Sequence, residues 1–158
     1  MDSAQEVFNR SLHRDVVLWT AMINARAIFG LIDDCFKFLD DMIADGIKPN
    51  AITVSALLLA CSHAGDVEKA QKVFIRMKSW NITPDVWHYN GMIDVFARAG
   101  RLEDAEKLAN GISPDETTWM TILSGCRKFK DVECAERICK QIWKDDTSRA
   151  FSHSHGKY

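Results

Sequence analysis

The chain has 158 residues, of which 47% are hydrophobic and 27% charged, and its formal net charge is −2. This length fits one domain or one short repeat array. The bulk charge gives no sign of nucleic-acid binding, so such a role would depend on local basic groups. The sequence has no apolar run close to the ~18 residues of a membrane-spanning helix.

The first residues and the cysteines exclude two further classes. Met1 is followed directly by a polar helical pattern, DSAQEVF, which predicts neither a secretory peptide nor a transit segment in this chain. The five cysteines include no CxxC pair, which argues against a disulfide scaffold. Four of them lie on apolar helical faces, so we expect buried, reduced thiols.

Four segments of the chain follow the same spacing rule. Aligned on their first residues, they repeat in steps of 35, 35 and 30 residues and begin at Val16, Ala51, Val86 and Glu116. The fifteenth position of the first three units is glycine, at Gly30, Gly65 and Gly100. Five positions later comes a small residue in all four units, at Cys35, Ala70, Ala105 and Ala135. A shared period of this length predicts an array of helical repeats.

The third unit shows why each unit is expected to be a helical hairpin. Tyr89, Met92 and Phe96 are spaced three to four residues apart, which gives a first helix one buried stripe. Gly100 suits the left-handed end of that helix, and the proline before the unit boundary, Pro114, stops the second helix. We therefore predict an all-α solenoid of antiparallel helix pairs, with eight or nine helices and no strand.

The same alignment divides the whole chain. Residues 2–15 match only a second helix, so we expect the chain to begin in mid-unit, as a fragment or a reduced family member would. Four units follow at 16–50, 51–85, 86–115 and 116–146. Residues 147–158 are polar without a helical stripe and are expected to form a frayed tail. The exposed end helices should be the least stable part of the array.

The 35-residue hairpin that ends in Pro-Asn or Pro-Asp resembles the pentatricopeptide repeat. The rival tetratricopeptide repeat has a 34-residue period and a W-x2-L-G-x2-Y opening, which no unit here shows. DVVLWTAMI with DGIKPNAIT is similar to a P-type unit of the plant PLS subfamily, and LLACSHAGDVEKAQKVF to its L-type unit. WHYNGMIDVFARAGRLEDAEKL is similar to the S-type unit, and TTWMTILSGCRKFKDVECAERICKQI to the E1 motif that follows it.

This resemblance implies a right-handed α-solenoid that binds single-stranded organellar RNA in factors for C-to-U editing, in the mitochondrion or the chloroplast. It also implies that first helices line a concave groove and that each unit reads one base with its fifth and last residues. Carried over, the reading pairs are Thr20 with Asn50 (adenine), Ser55 with Asp85 (guanine), and Asn90 with Asp115 (uracil). The second residue of each unit would sandwich the bases, namely Val17, Ile52 and Trp87.

Simpler roles remain open for these residues. Polar side chains near helix starts commonly act as caps, and capping is compatible with reading. Trp87 could equally pack between repeats. Four basic residues of the first helices are candidates for phosphate contacts: Arg26, Arg98, Arg127 and Lys128.

No catalytic motif is found in the sequence. The H-x-E and C-x-x-C strings of zinc deaminases are missing, as are a Gly-rich phosphate loop and a nucleophile elbow. We therefore expect no enzyme activity, no cofactor and no metal site. Any deaminase of an editing complex would come from a C-terminal extension or from a separate protein.

Two other functions compete with RNA binding. The first is a protein-interaction scaffold that recruits editing partners, which the acidic balance favours. The second is a degenerate repeat fragment without activity of its own. A groove that binds RNA should carry Lys or Arg and bind RNA in a salt-dependent way. This test distinguishes the RNA-binding function from the scaffold and from the inactive fragment.

Overall fold

The computed structural model describes the backbone of residues 2–154 and the side chains of residues 3–148. Within that range the chain forms nine α-helices, one short 3-10 helix and no strand, which confirms the all-α prediction. The helices are α1 (Asp2–Arg10), α2 (Val16–Ile28), α3 (Ile32–Ala44), α4 (Ala51–Ala64), α5 (Val67–Arg76), α6 (Val86–Arg98), α7 (Leu102–Asn110), α8 (Glu116–Phe129) and α9 (Val132–Ser154). The 3-10 helix, Met77–Trp80, extends α5.

The even-numbered helices begin at the first residues of the four repeat units. Each follows an acidic or amide side chain that accepts a backbone N–H of the first turn, which stabilises the helix start. These capping residues are Asp15, Asn50, Asp85 and Asp115. In α4, α6 and α8 the third helical residue bonds back to the N-cap backbone, which completes a capping box.

The helices form two layers. In one layer α2, α4, α6 and α8 pack side by side along the array. In the other, α3, α5 and α7 each pack on the first helix of their own unit and on the first helix of the next unit. Within the described residues the second helices contact each other much less than the first helices do. The array therefore curves, with the first helices on the inner side.

The core follows the repeat positions. The paired apolar residues at the seventh and eighth positions are buried in the first three units, as are Cys35, Ala70 and Ala105 at the small position.

Gly125 permits a close approach of α8 to Leu102 and Ala97 that we did not predict from the sequence. A Cβ at this position would lie 2.7 Å from Leu102 Cδ2 and 2.9 Å from the Ala97 carbonyl oxygen.

The turn position behaves as predicted in the first three units and is also left-handed in the fourth. Gly100 has φ +79°, in the region that glycine adopts without strain. Lys130 takes the equivalent place with φ +57°, and it ends α8 as the glycines end the earlier first helices. The turn therefore depends on the hairpin geometry as well as on glycine.

A frayed tail was predicted for residues 147–158, whereas residues 147–154 are helical. Helix α9 continues through residues 147–154 because neither glycine nor proline occurs between Val132 and Ser154. Residues 155–158 of the predicted tail lie outside the described residues.

Cys35, Cys61, Cys126 and Cys134 are buried free thiols and Cys139 is exposed, which confirms the prediction for four of the cysteines. No helix in the described part of the chain is long and apolar enough to cross a membrane.

Candidate nucleic-acid interface

Three large apolar side chains are exposed in a row on the inner layer. Val17, Ile52 and Trp87 occupy the second positions of α2, α4 and α6, and 69%, 67% and 74% of their surface is accessible. Such exposure rules out packing between repeats for Trp87 within this structure. A regular row of exposed apolar groups is a surface on which flat apolar groups can stack.

The fifth and last residues of the first unit are linked through a third side chain. Thr20 is only 7% exposed, and its hydroxyl oxygen lies 2.7 Å from that of Thr53. Thr53 in turn donates its hydroxyl to Asn50 Oδ1 at 3.0 Å and its backbone N–H to the same oxygen at 2.9 Å. Thr53 is the third residue of the next unit, so the pair is assembled across the boundary between α2 and α4.

The third unit repeats this arrangement. The linking residue here is Thr118, the third residue of α8. Its hydroxyl oxygen lies 2.9 Å from Asn90 Oδ1 and 2.8 Å from Asp115 Oδ1. Its backbone N–H donates to Asp115 Oδ1 at 2.8 Å. Thr118 is buried, whereas Asn90 is half-buried and Asp115 is exposed. The buried residue Thr118 thus contacts both members of the predicted reading pair and holds them in place.

The middle unit uses a histidine in the same place. The His88 ring is buried, and its Nδ1 and Nε2 atoms lie 2.6 Å from Asp85 Oδ1 and 2.9 Å from the Ala51 carbonyl oxygen. The hydroxyl of Ser55 donates to that same carbonyl at 3.2 Å. Ser55 and Asp85 are therefore connected through the Ala51 carbonyl rather than by direct contact with one linking side chain.

Both acidic residues at unit ends are charged at neutral pH. Hydrogen bonds from the backbone N–H and the hydroxyl of Thr118 hold the pKa of Asp115 below its ordinary value of 3.8. Partial burial raises the pKa of Asp85, but the hydrogen bond from the His88 backbone N–H and the adjacent His88 ring outweigh it, so the net shift is downward. These carboxylates act as helix caps and as fixed negative acceptors.

A cleft of about 420 Å³ between α2 and α4 brings predicted reading and sandwich residues together. Five of them line it: Val17, Thr20, Asn50, Ile52 and Ser55. Among the described residues that line this cleft, none is charged. Its chemistry suits an uncharged, flat group with hydrogen-bonding edges.

A second cleft, of about 780 Å³ between α6 and α8, is basic. Arg98, Arg127 and Lys128 line it together with one carboxylate, Asp94. Arg98 Nε donates to Asp94 at 3.0 Å, and Lys128 Nζ donates to the Arg98 carbonyl at 3.0 Å, so both side chains are held at the cleft. Three cations against one carboxylate suit an anionic ligand.

Arg26 does not lie at this surface, and its prediction as a phosphate contact was wrong. Its guanidinium lies 4.0 Å from the centre of the Phe38 ring, donates to the Met22 carbonyl at 3.3 Å and also donates to Gln5. Arg26 follows Thr20 by six residues, and at about 100° per residue it lies about 120° away from Thr20 around α2. Arg98 follows Asn90 by eight residues and stays within about 80° of it.

Sequence reasoning missed the linking residues, by which we mean Thr53, His88 and Thr118. Each stands three positions after an Asn or Asp, at Asn50, Asp85 and Asp115. That spacing is the signature of a capping box, which could have identified them. What it could not predict is that the same side chains also reach back to the preceding unit.

Together these features define a helical-repeat protein whose inner face carries a repeated apolar and polar pattern. A family model of the pentatricopeptide repeat domain matches residues 37–99, and a model of the single repeat matches residues 17–47 and 117–146. The chain belongs to the pentatricopeptide repeat family.

Relatives and solved structures agree with this assignment. A chloroplastic pentatricopeptide repeat-containing protein of Arabidopsis thaliana is 38% identical over 154 residues, which cover 94% of this chain and 20% of the relative. A mitochondrial one is 39% identical over 157 residues, covering 98% and 25%. The chain thus spans a fifth to a quarter of these relatives. A solved structure also matches, namely the crystal structure of the maize protein PPR10 in complex with an 18-nucleotide psaJ RNA element. The match has a TM-score of 0.77 and 24% identity, and it covers 90% of this chain and 22% of that chain. It shows that the two chains have a common fold.

Proposed function

We propose that this chain is a single-stranded RNA-binding module of an organellar RNA editing or RNA processing factor, without a deaminase of its own. One observation carries the proposal. An exposed apolar residue, a polar fifth residue and an Asn or Asp last residue recur together in three successive units on the inner face. An extended strand with repeated bases matches such a periodic surface.

The apolar row provides the stacking surface. A base can lie between the second residues of neighbouring units, for example between Ile52 and Trp87. Stacking on an aromatic face adds roughly 1–3 kcal/mol per base. We therefore expect Trp87 to contribute more binding energy than Val17 or Ile52.

The polar pairs provide the base selection. We propose adenine for Thr20 with Asn50, guanine for Ser55 with Asp85 and uracil for Asn90 with Asp115, in the sequence A-G-U. In the fourth unit the fifth residue is Met120, whose thioether is at most a weak acceptor. Reading then ends with the third unit, in keeping with P-, L- and S-type units followed by an E1-type motif.

The basic cleft provides the phosphate contacts. Arg98, Arg127 and Lys128 stand beside the third unit, whereas Arg26 is excluded by its contacts with Phe38 and Gln5. Each phosphate contact makes affinity more sensitive to salt. With few such groups, we expect moderate affinity that depends on ionic strength.

The names of the relatives support a proposal for the cellular setting. Since similar proteins are named chloroplastic or mitochondrial, we propose that this module works in one of those organelles. Editing would require a deaminase and further proteins of an editing complex, which we propose act as separate partners.

The test is a fluorescence-anisotropy titration with labelled 12-nucleotide RNAs that contain AGU or a scrambled core, at two salt concentrations. We expect tighter binding to AGU, weaker binding at high salt, and a loss with Arg127→Glu that Lys140→Glu on α9 does not show. No binding at low salt would contradict the proposal.

A second candidate, a protein-interaction scaffold, has one observation in its favour. The cleft between α8 and α9 is lined by Asp115, Glu116, Asp145 and Asp146 beside Trp119. Such an acidic surface repels phosphate but suits a basic protein partner. In the same titration, failure with RNA together with an intact fold would favour this second function.

A further inference from the structure

Thr118 has too few hydrogens for the contacts around it. Its hydroxyl oxygen lies 2.8 Å from Asp115 Oδ1 and 2.9 Å from Asn90 Oδ1, both of which are acceptors as placed. A threonine hydroxyl has one hydrogen and two lone pairs. It can therefore donate to only one of the two oxygens.

The carboxylate takes this hydrogen. A hydrogen bond to a charged acceptor is roughly twice as strong as one to a neutral amide, and Asp115 is charged at neutral pH. If Thr118 donated to Asn90 instead, its lone pairs would face the Asp115 carboxylate at 2.8 Å, which is repulsive.

The Asn90 amide must then donate to Thr118. Amide oxygen and nitrogen have nearly the same shape, so a half turn exchanges them without a change in packing. After the turn Nδ2 donates to Thr118 Oγ1, and Oδ1 is the atom left for a ligand. Asn90 accordingly offers an acceptor rather than a donor.

The first unit follows the same hydrogen count. Asn50 Oδ1 accepts both the backbone N–H and the hydroxyl of Thr53, at 2.9 and 3.0 Å. Since the Thr53 hydrogen is used there, the bond of 2.7 Å to Thr20 requires Thr20 to donate. Each of the two linking threonines thus determines the direction of its hydrogen bond with the neighbouring fifth residue, which is the donor in both units.

We propose that Thr118 is a specificity-determining positioning residue, which turns Asn90 so that its oxygen accepts the ring N–H of uracil. Cytosine has a lone pair at the same ring nitrogen and is rejected. The proposal rests on the RNA-binding function proposed above, and it assigns base choice in the third unit to a buried residue of the fourth.

The test compares binding of RNAs with AGU and AGC cores by wild type, Thr118→Val, Thr118→Ser and Thr147→Val. The valine variant keeps the shape and removes the hydroxyl, so the preference for uracil over cytosine should fall about fivefold, the worth of one hydrogen bond. Thr118→Ser should keep the preference. Thr147→Val is the control, since the contacts of the Thr147 hydroxyl among the described residues are carbonyls of its own helix.

The amide orientation has its own readout in the free protein. Nuclear Overhauser contacts between the Asn90 amide hydrogens and the Thr118 side chain are expected, and their absence would overturn the proposal. So would RNA binding by Thr118→Val with an unchanged uracil-to-cytosine ratio. If no variant binds RNA, the proposed function itself fails, and the base-selecting role of Thr118 fails with it.

Discussion

The hydroxyl oxygens of Thr20 and Thr53 lie 2.7 Å apart in a buried contact between side chains 33 positions apart in the chain. This bond joins a predicted base-reading residue to the capping box of the next repeat. The residues that face a ligand and the residues that start the next helix therefore form one network. Changes to that network should affect stability and recognition together.

Thr53→Val tests the stability side of this coupling. The substitution keeps the side-chain shape but leaves the buried Thr20 hydroxyl and the Asn50 backbone N–H without their partner. We expect a loss of about 1–3 kcal/mol in the free energy of unfolding, measured with urea. Thr147→Val, at an exposed site, should change it by less than about 0.5 kcal/mol. Equal stability of the two variants would contradict the claim that this hydrogen-bond network stabilises the fold.

Asp115→Ala should have an effect that depends on pH. Loss of the cap is expected to cost about 0.5–2 kcal/mol at neutral pH. Because the pKa of Asp115 is lowered in the folded state, its contribution is complete above the ordinary value of 3.8 and is lost as the pH falls through the folded value. The difference between variant and wild type should therefore be constant from about pH 7 to 5 and shrink below about pH 4. A difference that is unchanged at about pH 3 would disprove the assignment.

Gly125→Ala should destabilise the array although alanine is the better helix former. The new methyl group would meet Leu102 Cδ2 at 2.7 Å and the Ala97 carbonyl oxygen at 2.9 Å. Overpacking of this kind costs about 1–3 kcal/mol, more than the gain of about 1 kcal/mol in helix propensity. Gly111→Ala is the matched control, since its methyl group would meet nothing closer than 3.5 Å. Thermal unfolding measures the stability of both variants, and Gly125→Ala is expected to be the less stable of the two.

Native cysteine labelling should modify one thiol in five. Cys139 is exposed, whereas burial raises the pKa of Cys35 to about 11 and that of Cys61 and Cys134 to about 12. Burial also raises the pKa of Cys126. Both inaccessibility and scarcity of thiolate slow the reaction. Mass spectrometry after brief iodoacetamide treatment at pH 7.5 should find Cys139 alone, and rapid labelling of a second cysteine would show that the core opens.

The helices were predictable because their signals are local. The glycine at the turn, the apolar pairs and the Asn or Asp before each first helix repeat at fixed spacing, so comparison of units identified them. Thr53 and Thr118 carry a local capping signal, but their contacts with Thr20 and Asn90 cross unit boundaries and depend on how far the helices rotate against each other. Sequence spacing alone does not specify that rotation.

Two failures have clear physical causes. Arg26 was grouped with other basic residues of first helices, although its place on the helix turns it toward Phe38 of α3 and Gln5 of α1, which both contact it. The tail was expected to fray because it lacks an apolar stripe. Helix α9 continues to Ser154 all the same, because neither glycine nor proline interrupts it.

Two tryptophans allow the most direct test of RNA binding by the inner face. Trp87 on α6 and Trp143 on α9 are 74% and 75% exposed. Helix α6 is a first helix, whereas α9 is the second helix of the fourth unit and packs on α8 and α7. In nitrogen-15 NMR spectra, addition of an AGU-containing RNA is expected to shift the Trp87 indole N–H signal and leave that of Trp143 unchanged. Movement of the Trp143 signal alone, or of neither signal at saturating RNA, would contradict RNA binding on the inner face.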